Sequence, residues 1–258
     1  MTMENEIEGA VECVRIGPAL LVLGDCRALL GRLPKADVLV SDPPYGIGYQ
    51  HSGGGQGRIF DGLGNVLKTN AVPTSRATII GDDEPFDPQP YVGLAPRVLM
   101  WGADHYRARL PAGGRFLAWD KSVGGGPADS FADSEHAWTN VETIKRTVFR
   151  HLWKGFARKA DRWGPSRRAR LHISQKPVAL MRWCIETLRC PPGGVVLDPF
   201  MGSGSTGVAA LTLGMRFVGV DIDRAHYDTA RERIAHLVQV EQLGVPPDMA
   251  AKRKGRKA

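Results

Sequence analysis

Two clusters in the chain combine chemically useful residue types with spacings that hold them still. The first is Asp42-Pro43-Pro44-Tyr45, inside the stretch ADVLVSDPPYGI. Proline locks its own φ and pushes the residue before it out of the α region, so Asp42 and Pro43 are both held extended. A rigid corner rich in acceptors, followed by an aromatic ring, is suited to holding something flat. A strand-ending turn is the plainer reading of a double proline taken alone. The second cluster is VVLDPFMGSGSTG, in which Gly202, Gly204 and Gly207 satisfy GxGxxG. Asp221 follows about twenty residues on, the offset at which an acid bonds ribose hydroxyls in adenosine-binding βαβ units. Glycines there let backbone approach a ligand, and the pattern with its acid points to an adenosine-containing cofactor, a nicotinamide dinucleotide being the first that GxGxxG suggests.

Both clusters sit where strands end. The run DVLVS before the corner is short and β-branched, as in a strand buried on both faces of a parallel sheet. Further strands are predicted at 19–24, 97–102, 115–119, 194–198 and 216–221, and within 143–153. Helices are predicted at about 25–33, 88–96, 104–110, 205–213 and 224–240. One more, with Ser174 as candidate cap and Pro177 near its first turn, carries apolar residues at 178, 181, 185 and 188. Strands alternating with helices predict an α/β fold with a doubly wound, parallel sheet. In such sheets ligands bind beyond the carboxyl ends of the strands. The glycine-rich stretch from 46 to about 73 is too long and too irregular for a packed element and reads as a functional or disordered loop.

The chain of 258 residues is 43% hydrophobic and 24% charged, ordinary for one soluble globular domain. No run approaches the ~18 apolar residues of a membrane span, and the acidic start MTMENEIEGA does not read as a secretory signal. Cys13, Cys26, Cys184 and Cys190 show neither CxxC spacing nor histidine pairing, so they read as reduced intracellular thiols with no metal site. The net charge of +7 is unevenly spread. Residues 144–170 hold ten Lys or Arg against Asp161 alone, and the tail AKRKGRKA holds five more. The basic stretch is interleaved with Phe149, Trp153, Phe156 and Trp163, which points to a polyanion, and to nucleic acid in particular. Its candidate phosphate contacts are Lys145, Arg146, Arg150, Lys154, Arg158, Lys159, Arg162, Arg167 and Arg168.

Taken together, DPFMGSGST and SDPPYG resemble the S-adenosylmethionine-dependent amino-methyltransferases of DNA, whose hallmark motifs have the forms DPFxGxGT and [DNS]PP[YFW]. Ser205 intervenes here before Thr206. The corner precedes the glycine loop, the order of the permuted β group, and the resemblance covers most of residues 20–240. GDDEPFD, LMWGADHY and RFLAWDK further resemble solitary phage and prophage enzymes, although relatives often carry Asn where this chain has Asp104. HISQKPVAL resembles the segment, usually HPTQKP, that leads into the helix beside the cofactor methionine.

That resemblance implies a Rossmann-like class I methyltransferase fold, with helices on both faces of a mostly parallel sheet. It implies one catalytic domain over 1–258, with a mobile loop at about 46–73, a small basic target-recognition insertion at about 121–172 and a disordered tail at about 245–258. S-adenosylmethionine would be held by Asp25, Gln175, Lys176, Pro177, Asp198, Pro199, Phe200, Gly202, Gly204, Ser205, Thr206 and Asp221. Asp42, Pro43, Pro44 and Tyr45 would be catalytic, and no metal is required. The substrate would be double-stranded DNA with a flipped-out nucleotide, and the setting the cytoplasm of a bacterial or phage-infected cell. Adenine N6 is the leading target because Asp opens the motif, with cytosine N4 the alternative. An NAD-dependent oxidoreductase would leave DPPY idle, and a non-catalytic DNA-binding module would not need a complete cofactor set. A homodimer could complete so small a footprint.

Overall fold

The computed structural model describes residues 7–48, 59–60, 66–67, 79–123, 132–154, 157–158 and 175–242. Its strands in chain order are β1 (Glu12–Ile16), β2 (Ala19–Leu23), β3 (Val38–Ser41), β4 (Ile59–Phe60), β5 (Val66–Leu67), β6 (Arg97–Trp101) and β7 (Arg115–Asp120). There follow β8 (Ser134–Thr139), β9 (Val148–Arg150), β10 (Trp153–Lys154), β11 (Ala157–Arg158), β12 (Val195–Asp198) and β13 (Arg216–Asp221). The helices are α1 (Cys26–Leu29), α2 (Gln89–Val92), α3 (Val178–Thr187), α4 (Ser205–Thr212) and α5 (Arg224–Gln242). Nine of the strands make one sheet in the order β1-β2-β13-β12-β3-β6-β8-β7-β9. The pairs β4–β5 and β10–β11 stand apart from it.

From β2 through β13, β12 and β3 to β6 every pairing is parallel. That is why ALLVL, VLVS and VVLD are buried at every position, with apolar side chains on both faces. One face packs on α3, α4 and α5, and the other on Leu29, Tyr91 and Tyr106. The helical spacing read in α3 is realised, since Val178, Met181, Ile185 and Leu188 are all buried. Burying each such side chain contributes about 1.5–3 kcal/mol.

The chain leaves β12 through α4 to β13 on one side, and leaves β3 toward β6 on the other. The boundary between β12 and β3 is therefore the topological switch point, where a crevice opens beyond the strand ends. Val196 pairs with Val38 and Leu197 with Leu39 there, so the two motif-bearing strands are direct neighbours.

Several expected elements differ. The helix expected at 88–96 is the single turn α2, stopped at Gly93. The helix expected at 104–110 is a set of turns ending in a 3-10 turn, Arg107–Arg109. Its start is pulled toward the sheet by the Ala103 N–H donating to the His136 carbonyl, and the Tyr106 hydroxyl returns to the Trp101 carbonyl. Seven residues so tethered cannot recover the cost of helix nucleation. The strand expected within 143–153 is confined to β9 and the first residue of β10.

β1 and β8 had not been expected. β1 is an edge strand whose mixed ECVRI sequence returns through a turn at Gly17 to pair antiparallel with β2. β8, SEHAWT, is polar at its first three positions, yet it lies between β6 and β7 and is antiparallel to both. β8 and β9, which fall within the segment 121–172 expected as an insertion, are strands of the main sheet. Among the described residues, no helix is long and apolar enough to cross a membrane.

Candidate active site

The two motifs meet through a side chain that the sequence reading passed over. The Ser41 hydroxyl, at the end of β3, donates to Asp198 Oδ1 at 2.6 Å, across 157 positions of sequence. Asp198 also accepts the Phe200 N–H at 3.1 Å and a hydrogen bond from the Thr206 side chain. Burial pushes the Asp198 carboxyl up to about 6, against those hydrogen bonds. This carboxylate fastens the turn after β12 to the end of β3 and shapes the crevice wall.

The corner itself is held from three directions. Asp42 Oδ1 accepts the Tyr45 hydroxyl at 2.6 Å, and Oδ2 faces Lys176 Nζ at 2.6 Å. The same ammonium donates to the Tyr45 oxygen at 3.0 Å and stands 3.1 Å from Glu135 on β8. Lys121, just after β7, binds the other Glu135 oxygen at 2.7 Å. Burial raises the Asp42 carboxyl, opposed by the Lys176 charge. Lys176 is also buried, but two carboxylates outweigh that and hold its amine protonated. Burial would raise Glu135 as well; Lys176 and Lys121 prevail and bring it down to about 2.

Behind the corner, Asp82 Oδ1 accepts the backbone N–H groups of Tyr45 and Gly46, both at 2.8 Å, and that of Ile47 at 3.4 Å. Asp82 is only 3% exposed, so these bonds form in a dry setting. A Cβ at Gly46 would come within 2.4 Å of the Glu84 carbonyl, which explains glycine after the corner. At Gly102, just after β6, a Cβ would lie 2.0 Å from the Tyr45 ring. The Tyr45 ring also stacks on His105, with centroids 4.9 Å apart and planes 14° from parallel. Pro43 is buried and Pro44 half-buried beside them.

In the glycine loop the three glycines divide their work. Gly202 has φ +51 and nothing within 4 Å of the position its Cβ would take, so it opens onto free space. Its N–H donates to Asp221 Oδ2 at 2.8 Å. A Cβ on Gly204 would press on Ala230, and one on Gly207 would meet Phe217 and Ile234 within 2.8 Å, so these two seat α4 against its neighbours. Ser205 and Thr206 open α4 and are buried, as is Pro199. Phe200 packs on Phe86 and Tyr91 at centroid distances of 5.7 and 5.1 Å.

Asp221 ends β13 beside this loop, with Oδ1 accepting the Asp223 N–H at 2.8 Å. Asp25 lies two residues past the neighbouring strand β2, where its carboxylate caps α1 and binds the Arg27 guanidinium at 2.8 Å. Gln175 and Pro177 lead into α3, whose N-cap is Pro177. Lys176, expected at the cofactor, is joined to Asp42 and Tyr45.

The sequence reading missed Ser41, Asp82, Glu135 and Lys121 as parts of the site. GDDEPFD had marked the neighbourhood of Asp82, but nothing in the order of residues ties β8 to the corner. Of the candidate phosphate contacts, Lys145, Arg146 and Arg150 are exposed, and Arg150 faces Asp120 at 3.7 Å. Lys154 and Arg158 lie on β10 and β11. Lys159, Arg162, Arg167 and Arg168 lie outside the described residues, as do the tail and most of the loop at 46–73. Among the described residues, no cluster of His, Cys, Asp and Glu could hold a metal ion.

The fold is that of the class I S-adenosylmethionine methyltransferases. It matches the PvuII DNA methyltransferase (cytosine-N4-specific) with a TM-score of 0.52 and 13% identity, over 87% of this chain and 93% of that one. It matches M1.HpyAVI in its SAM complex with a TM-score of 0.50 and 18% identity, over 84% and 98% of the two chains. Residues 119–232 match the N6/N4 methylase family, described as DNA methylase. The chain is 38% identical over 84 residues to the type II methyltransferase M2.DpnII of Streptococcus pneumoniae, covering 32% of this chain and 29% of that protein. It is also 38% identical over 79 residues to the putative methylase YubD of Escherichia coli, covering 31% and 34%. These matches span about a third of the relatives' length. The resemblance to the N6/N4 DNA methylases, first read from the two motifs, is thus borne out.

Proposed function

We propose that the chain is a DNA methyltransferase that moves a methyl group from S-adenosylmethionine to an exocyclic amino group. The carrying observation is that the strands leading into DPPY and the glycine loop are direct neighbours, joined by Ser41 and Asp198. The glycine loop fits the cofactor, because Gly202 turns with a positive φ and leaves its surroundings open. Gly202, Asp221 at the end of β13 and Asp25 just past β2 are the groups that would hold the adenosine portion.

S-adenosylmethionine supplies a methyl group on a sulfonium, already a strong electrophile, so orientation is left to the protein. An amino group conjugated with a base is a poor nucleophile. Asp42 and the Pro43 carbonyl each accept one N–H of that amine, which biases the nitrogen toward pyramidal geometry and aims its lone pair. Tyr45, pressed on Gly102, presents its ring to the base. Orientation of this kind supplies about 7–11 kcal/mol when the reacting atoms are held in near-attack geometry. In a duplex the amino group is paired, so the nucleotide is flipped out first.

Adenine N6 is the leading target because Asp opens the corner motif, and cytosine N4 is the second reading. Exposed Lys145, Arg146 and Arg150 are the described candidates for phosphate contacts. The test is transfer of tritiated methyl from S-adenosylmethionine to unmethylated genomic DNA, followed by nucleoside digestion. N6-methyladenine is expected, N4-methylcytosine would turn the reading to the second target, and an unlabelled digest would end it. Asp42→Ala is expected to abolish transfer while cofactor binding, followed by calorimetry, stays close to wild type.

A further inference from the structure

Lys121, Glu135, Lys176 and Asp42 form a line of alternating charge that runs from the sheet into the corner, with contacts of 2.7, 3.1 and 2.6 Å. In the resting arrangement both Asp42 oxygens are taken, one by Tyr45 and one by Lys176. An incoming amine therefore competes with these two donors for the Asp42 carboxylate. A buried ammonium cannot simply be released, since an unpaired charge at such a depth is heavily penalised. Glu135 offers it a second place. Its Oε1 is bound by Lys121, while its Oε2 already faces Lys176 Nζ at 3.1 Å. The strand fixes this carboxylate, because Glu135 pairs opposite Trp119 in the β7–β8 register.

We propose that Glu135 is a positioning residue for Asp42, taking up the Lys176 ammonium when Asp42 exchanges it for the N–H of the target amine. This rests on the amino-methyltransferase reading above and adds a resting state in which the corner is closed by its own lysine. Asp42 is faced by Tyr45 on its own loop, Lys176 before α3 and Glu135 on β8, with Asp198 at the end of β12 and Tyr106 after β6 farther off. Glu135 is faced by Lys176 and Lys121. Removing the Glu135 charge leaves Lys176 wholly to Asp42, which lowers the Asp42 titration. Removing the Lys121 charge strengthens the pull of Glu135 on Lys176, which raises it.

The experiment follows the carboxyl carbons of labelled aspartates by NMR in the cofactor-free protein, together with single-turnover methyl transfer to unmethylated genomic DNA. Glu135→Gln is expected to move the Asp42 midpoint down and to slow transfer about tenfold to a hundredfold. Lys121→Gln is expected to move that midpoint up. Opposed shifts are not a consequence of general loosening. Shifts of the same sign, or none, overturn the proposal, and so do opposed shifts with an unchanged rate for Glu135→Gln. Should Glu135→Gln fail to fold by circular dichroism, the upward shift in Lys121→Gln decides alone. Wild-type protein that transfers no methyl to DNA overturns the parent reading, and the positioning role with it. The titrations still report the charge line by themselves, so the two failures are distinguishable.

Discussion

Ser41 and Asp198, 157 positions apart, are joined by a 2.6 Å hydrogen bond at the boundary between β3 and β12. It ties the residue before the proline corner to the first residue of the glycine motif. Each motif thereby sets the position of the other.

Loss of that hydroxyl should be felt in stability. Ser41→Ala leaves a buried carboxylate with one donor fewer, a change of about 1–3 kcal/mol. Urea denaturation at neutral pH is expected to show a lowered midpoint with an unchanged slope. A midpoint equal to wild type would mean that Phe200 and Thr206 alone suffice for Asp198.

Asp198 also carries a pH signature. Its carboxyl stands at about 6 in the folded protein because burial disfavours the charge, against about 3.9 for an unperturbed aspartate. Between these values the folded state binds more protons than the unfolded chain, so this group favours folding most below about pH 4 and loses that contribution as pH rises through 6. The full loss is about 3 kcal/mol. Asp198→Asn, which keeps the acceptor for Ser41 and Phe200, removes this dependence. The stability of the variant relative to wild type should therefore climb from pH 4 to 6 and then level. A flat difference across that range would refute the assignment.

Gly102 is expected to tolerate no side chain. A Cβ there would stand 2.0 Å from the Tyr45 ring and would sit at φ +77. Gly102→Ala should reduce methyl transfer about a hundredfold by moving the ring, with about 1–3 kcal/mol of backbone strain. In a Tyr45→Ala background the same substitution should add little further loss of rate, because the ring it displaces is gone.

Asp82 holds three successive backbone amides of the corner on one oxygen. Asp82→Ala frees all three and should lower the single-turnover rate at least tenfold through loss of orientation. Calorimetric affinity for S-adenosylmethionine should stay near wild type, since Asp82 acts on the corner through Tyr45, Gly46 and Ile47. An equal loss of both would mean that the loop and the corner are one rigid unit.

Local patterns in the chain were enough for the parts governed by neighbouring residues. The short, largely apolar runs of β2, β3 and β12 marked buried strands. The spacing 178, 181, 185, 188 marked the buried face of α3. The prolines after Asp42 announced a rigid corner, and the glycines announced a tight loop beside a buried strand. Each of these is a short-range steric or periodic effect, so it is legible within a few residues.

Tertiary structure alone decided what those parts are joined to. β8 reads as polar because Glu135 and His136 lie on it, and only its place between β6 and β7 makes it a central strand. Lys176 could serve either motif by position in the chain; the fold delivers its ammonium to Asp42, Tyr45 and Glu135. Ser41, Asp82 and Gly102 gained their roles from partners brought close by strand order. Hydrogen bonds and ion pairs act over about 3–4 Å, whatever the distance along the chain, and sheet topology selects which residues come within that reach.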